Sequence, residues 1–192
     1  MLIENGKGTG HKAEVSSTNR LMTAAVTVSA EHEANHGNEQ AYAVTFNQSP
    51  TAAGDCIFYM VNSSDSDIVI EGATIGVINC TADETLYFKI GDSGTRNSAT
   101  ALTPVNLNGG SGNTANGTFE QGADLDGGAA TLTGGSTFET LIMAGVTDKV
   151  SSNFNFEADI VLPKNKALTA WVGTTAAGTY YITVTFYYAN GD

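Results

Sequence analysis

FNFEADIVLPKNKALTAWVGTTAAGTYYITVTFYY, residues 154–188, is written in a period of two. Phe154, Phe156, Ala158, Ile160 and Leu162 fall on one side of an extended chain, and Asn155, Glu157 and Asp159 on the other. Pro163-Lys164-Asn165-Lys166 is a polar turn. Leu168, Ala170 and Val172 share a face opposite Trp171. After the small residues 174–178, Tyr180, Ile182, Val184, Phe186 and Tyr188 alternate with Tyr181, Thr183, Thr185 and Tyr187. Alternation in β-branched and aromatic residues marks half-buried antiparallel strands, and the clusters between them are turns. Three strands cannot form a core alone, so the upstream chain must supply the strands they pair with and pack against.

The totals bound that task. The chain has 192 residues, 41% of them hydrophobic, 15% charged and 22 of them Gly, which suits one all-β domain rich in turns, carrying an arm. No run reaches the roughly 18 apolar residues of a membrane helix. The polar, Gly-rich opening is not read as a secretory signal. The net charge is −12, from 20 acids against 8 scattered bases. Nucleic-acid binding needs a basic footprint, so neither nucleic acid nor a membrane is an expected partner. Cys56 and Cys80 lie in apolar strand patterns and read as buried thiols, with a disulfide as the alternative.

Residues 1–19 have no apolar face. Gly6, Gly8 and Gly10 interrupt a polar run, and no strand precedes it and no helix follows, as a phosphate loop would require. Residues 1–30 therefore read as an extended N-terminal arm ending in a first strand over 20–30, with a single β-sandwich domain over 31–192. Strands are expected over 41–48, 55–62 (apolar on both faces, hence central), 68–80 (one long bent strand or two short ones, with Gly72 and Gly76 as bulge sites), around 86–90, over 99–107 (an edge, because of Pro104) and over 138–144. Residues 106–136 form a Gly-rich excursion, with 9 Gly in 31 residues. A segment this long without structure is usually functional or disordered. No stretch has a convincing helical period. The expected class is an antiparallel β-sandwich, first a jelly roll, second an immunoglobulin-like sandwich, although Trp171 follows both cysteines.

Motifs that carry chemistry are few. His32-Glu33-Ala34-Asn35-His36 matches H-E-x-x-H, which binds zinc when a helix sets both His on one face. Here a strand pattern precedes it, Gly37-Asn38 follows, and the one other His is His11, so a chance match in a polar connection is expected. Asp124-Leu125-Asp126-Gly127-Gly128 hints at a calcium loop but lacks a closing Glu; Asp65-Ser66-Asp67 and Asp83-Glu84 are similar acidic turns. No catalytic residue, bound metal or cofactor is assigned. A glycosidase carboxylate pair stays open, since its members need not be close in sequence. Trp171, Tyr181 and Tyr187 are candidates for a subunit interface, where Tyr and Trp are enriched.

One wider pattern stands out. Gly8-Thr9-Gly10-His11-Lys12-Ala13-Glu14-Val15, then Asn19-Arg20-Leu21 leading into Val26-Thr27-Val28, resembles the opening of a family of tailed-bacteriophage virion structural proteins, roughly G-x-G-x-x-A-x-V, a spacer and N-R-L. Ala41-Tyr42-Ala43-Val44 is similar to that family's second strand. Phe58-Tyr59-Met60-Val61-Asn62-Ser63, followed by Asp67-Ile68-Val69-Ile70, resembles its apolar strand, Asn-rich turn and D-[IVL]-V-I strand. Leu162-Pro163-Lys164 resembles its L-P-K-G turn, with Asn165 in place of Gly. The resemblance leaves out residues 106–136. It implies a non-enzymatic virion component made in the bacterial cytoplasm, on head or tail. With the features above it leads to an expected capsid decoration (cement) protein on the capsid surface, a homotrimer contacting the major capsid protein. Gly8, Gly10, Val15, Arg20 and Leu21 would belong to the assembly arm. The rivals are a tail or adsorption protein that binds a host glycan, and an enzyme working through His32 and His36 or a carboxylate pair.

Overall fold

The computed structural model describes residues 3–4, 12–15, 21–22, 29–80, 82–143, 145, 150–173 and 178–189. The chain divides into two units, Met1–Ala30 and Glu31–Asp192. In the first, β1 (Ile3–Glu4), β2 (Lys12–Val15) and β3 (Leu21–Met22) form an antiparallel sheet in chain order. The strand expected over 20–30 does not reach its end. Residues 23–28 lie outside the described residues, and Ala30 opens a short helix, α1 (Ala30–His32), which widens into a π-helix over Glu33–Gly37. The segment was expected to be a non-helical connection. Its anchor is Ala34, buried against Ala41, Val69 and Tyr187, and the Asn38 N–H closes it by donating to the Glu33 carbonyl at 3.0 Å. A single buried Ala is too sparse a signal to show as periodicity in eight residues.

The second unit is two antiparallel sheets packed face to face. Five strands make one: β4 (Ala41–Gln48), β6 (Ile68–Ile78), β9 (Val105–Asn106), β12 (Val150–Leu162) and β14 (Thr179–Tyr188), in the order β12-β6-β14-β4-β9. Six make the other: β5 (Cys56–Asn62), β7 (Glu84–Ile90), β8 (Thr100–Ala101), β10 (Gly117–Gln121), β11 (Ser136–Met143) and β13 (Ala167–Val172), in the order β11-β7-β13-β5-β10-β8. Consecutive strands β4 to β7 alternate between the sheets, and so do β11 to β14. The three C-terminal strands therefore never pair with one another: β12 and β14 flank β6, while β13 lies across the sandwich between β5 and β7.

The period of two sets the core. Tyr180, Ile182, Val184, Phe186 and Tyr188 of β14 are buried, and Tyr181 on the other face is exposed. Phe46 of β4 stacks on Phe58 of β5 across the sandwich, with centroids 4.5 Å apart and rings 5° from parallel. Each such side chain, fully buried, contributes roughly 1.5–3 kcal/mol from apolar area alone. β6 is one strand, and its register slips at Gly72, between Thr185 and Phe186 of β14. Gly76 keeps normal register opposite Tyr181, so only one of the two expected glycine irregularities occurs.

Along 99–136 one expectation is corrected and one open question is answered. The strand expected over 99–107 is two: β8 edges the six-stranded sheet and β9 the five-stranded one, with Pro104 at the crossing, where it breaks strand pairing by lacking an N–H. The Gly-rich excursion is structured. Its β10 pairs with β5, and Phe119 enters the core to stack on Phe186, 5.4 Å between centroids. Residues 122–135 then cover the outer face of the six-stranded sheet, burying Leu125 and Leu132 with Cys56, Tyr59, Ala167 and Trp171. This second, smaller core is why β5 and β13 are apolar on both faces. Asp92 fastens it: its carboxylate accepts from Thr169 Oγ1 at 2.5 Å, Trp171 Nε1 at 3.0 Å and the Gly135 N–H at 2.7 Å. Residue 135 must be Gly, because a Cβ would stand 2.5 Å from that carboxylate.

Candidate functional site

Two places gather functional groups. The first lies where the excursion returns over β5. Asp55, Asp124 and Asp126 bring carboxylate oxygens within 4.8 Å of one another, the one group of three or more metal-ligating side chains among the described residues. Asp55 closes the turn before β5: one of its oxygens accepts from the Thr51 and Ala52 N–H groups, each at 2.6 Å, and from Thr51 Oγ1 at 2.8 Å. Asp126 Oδ1 accepts from the Cys56 N–H at 2.6 Å. Asp124 folds back over Gly127, where a Cβ would meet its Oδ2 at 1.8 Å. Burial, then the charges of Asp55 and Asp126, push the Asp124 carboxyl above its ordinary value. Three hard oxygen donors are the chemistry of a Ca²⁺ site, although that ion takes about six to eight ligands. The bonds already made give the same residues a plain structural duty, tying the excursion to β5.

The second place is a cleft of about 410 Å³ beside the other end of β5. Gln40 and Tyr42 come from the entry to β4, Ser64 and Ser66 from the β5–β6 turn, Gly112, Asn113, Thr114 and Asn116 from the segment leading into β10, and Tyr188 from the end of β14. The β5–β6 turn is held by Asn62, fully buried, whose Nδ2 donates to the carbonyls of Ser66 at 2.9 Å and Leu162 at 2.8 Å, and whose Oδ1 accepts from the Ser64 N–H at 2.8 Å. Asn106 holds the facing loop through the Glu39 carbonyl, 2.9 Å from its Nδ2. Tyr188 is 5% exposed, and its hydroxyl is buried with no hydrogen-bond partner. Burial pushes that hydroxyl up to about 12; the Asn116 backbone is near enough to oppose the shift without bonding in normal geometry.

The residues singled out from sequence are placed as follows. His32 and His36 stack, with centroids 5.3 Å apart and rings 8° from parallel, so the short helix does set them on one face. Among the described residues no third ligand joins them, and Glu33 lies against Gly37, where a Cβ would meet its carboxylate at 2.5 Å. Asp65 is exposed and paired with Lys164 at 2.6 Å. Asp83 accepts from the Gly145 N–H at 2.8 Å, and the fully buried Glu84 accepts from the Tyr180 hydroxyl at 3.1 Å. None of these three joins Asp124 and Asp126; Asp55 does. Both cysteines are buried thiols outside any disulfide, and burial pushes the Cys56 thiol well up. Of the interface candidates, Trp171 and Tyr187 are covered by the chain itself, 6% exposed each, and Tyr181 alone is exposed, at 44%. Their faces were legible, but the layers covering them were not. Gly8, Gly10 and Arg20 lie outside the described residues; Val15 and Leu21 are backbone partners between β2 and β3.

Sequence reasoning passed over Asp55 and the whole cleft. Their members come from segments far apart in the chain, and no short motif carries them. No family model matches the chain, and no curated protein or solved structure does either.

Proposed function

We propose that this chain is a non-enzymatic structural component of a tailed-bacteriophage virion, a capsid decoration protein that works as a homotrimer against the major capsid protein. The observation that carries the reading is the strand order. With the inserted β8 to β10 set aside, β12-β6-β14-β4 lies over β11-β7-β13-β5, and successive strands cross between the sheets. We read that order as supporting an eight-stranded jelly roll, a sandwich that viral capsid and lectin domains use. The separate sheet of residues 1–30 supports a docking role for that unit, and the resemblance of its Gly8–Leu21 pattern to virion proteins points the same way. A second reading, a tail-associated protein that binds a host surface glycan, is favoured by the polar cleft. Quantitative mass spectrometry of purified virions separates the two. A copy number close to that of the major capsid protein, or a simple fraction of it, is the expected result. A handful of copies per particle moves the chain to the tail, and absence from particles ends the virion reading.

A further inference from the structure

We propose that the cleft beside Tyr188 is a binding site for a neutral saccharide. The inference stands on the cleft alone and does not need the decoration reading. Among the described residues, no charged side chain lines the cleft, so it offers neither carboxylates to balance a cation nor a counter-charge for an anion. The chain's net charge of −12 further disfavours an acidic ligand. The lining consists instead of amides and hydroxyls, groups that both donate and accept. An apolar ligand would strand those groups without partners, whereas the adjacent hydroxyls of a sugar pair with them. The side chains of Gln40, Ser66 and Asn116 have no hydrogen bond of their own among the described residues. The volume, about 410 Å³, falls in the roughly 300–1,000 Å³ of small-ligand pockets.

Tyr188 gives the sharpest pointer. Its hydroxyl is buried and makes no hydrogen bond of normal geometry, only a poor approach to the Asn116 backbone, which is uncommon because folding strips its water and returns little. Tyr188 lines the cleft, so a ligand hydroxyl seated against that wall can supply a well-formed bond. The ring itself is fixed, edge-on to Tyr42 with centroids 5.8 Å apart and 84° between planes, so the hydroxyl is held in position before any ligand arrives.

The test is titration of the full chain, by calorimetry and saturation-transfer NMR, with the methyl glycosides of glucose, galactose and mannose, with N-acetylglucosamine, and with N-acetylneuraminic acid as the acidic control. At least one neutral sugar is expected to bind and the acidic one not to. Tyr188→Phe should weaken binding roughly tenfold, the effect of losing one ordinary hydrogen bond, while its melting temperature holds or rises. Asn116→Ala, which keeps the backbone and needs no change in the core, serves as the second variant and should also weaken binding. Failure of every neutral sugar to bind at tens of millimolar overturns the proposal. So does binding that both variants leave unchanged, or binding of the acidic sugar as tightly as the neutral ones. None of these outcomes depends on where the protein sits in a particle.

Discussion

Single residues hold the turns on which this sandwich depends. Asn62 is the clearest case. One side chain satisfies two carbonyls and one N–H, and so joins the β5–β6 turn to the end of β12. Asn62→Ala should cost roughly 2–4 kcal/mol in denaturant unfolding, because three buried backbone groups lose their partner at once. Asn62→Asp should be no better, since a carboxylate facing two carbonyl oxygens donates nothing. A loss under about 0.5 kcal/mol for both would mean that water replaces the amide and that the turn needs no anchor. The same bonds close the site to modification: Asn62 begins an Asn-Ser-Ser triplet, yet its amide is buried and occupied. Asn165 shows a second kind of residue effect. Its φ of +64° lies in the left-handed region that Asn, next to Gly, tolerates best.

At the scale of elements, the excursion of residues 106–136 is the unexpected part. Together, its β10 and the β8 and β9 just before it extend the β5 side of one sheet and the β4 side of the other with short strands, which blunts edges that would otherwise be open to pairing with other chains. It also sends one large side chain into the main core. Phe119→Ala should therefore cost roughly 3–5 kcal/mol, as for other buried aromatics, and the loss should appear in the global unfolding transition. A separate early transition, with the main one unmoved, would show the excursion to be an independent layer and the Phe119–Phe186 stack to add nothing. Arg96 reinforces the attachment, with its guanidinium 4.3 Å above the Tyr59 ring and 2.6 Å from Glu120 of β10.

For the whole molecule, the buried tyrosines predict how stability depends on pH. Burial pushes Tyr180 far up, with Glu84 adding to the shift, and holds Tyr188 at about 12. An unfolded tyrosine ionises near pH 10, so above that value the unfolded chain carries fewer protons than the native one and stability falls as pH rises. Stability from these groups should be fully present below about pH 10. It should then decline toward pH 12 by up to about 1.4 kcal/mol per pH unit for each tyrosine held back. Unfolding midpoints in urea across pH 8–12, with phenolate absorbance read alongside, check this. Tyr188→Phe should flatten part of the slope; a slope that this variant leaves unchanged would contradict it.

The alternation in residues 154–188 was enough by itself to establish an all-β chain, the faces of β14 and the polar turn at 163–166, because a strand's period of two is a local property that each side chain reports directly. The same holds for β4 and for the two-faced burial of β5. The sequence alone did not reveal the helix at 30–37, the two-sheet split at Pro104 or the packed excursion, since each rests on a few long-range contacts, such as Ala34 on Tyr187 or Phe119 on Phe186, that leave no repeating signal. Only the tertiary structure decided which acids meet and which polar groups line a common cleft. Asp55 reaches Asp124 and Asp126 because the chain returns over β5 some 70 residues later, and Tyr188 shares a cleft with Asn116 because β14 ends where the approach to β10 passes. Proximity of this kind is set by the order of strands in the sheets, and that order is a property of the folded whole.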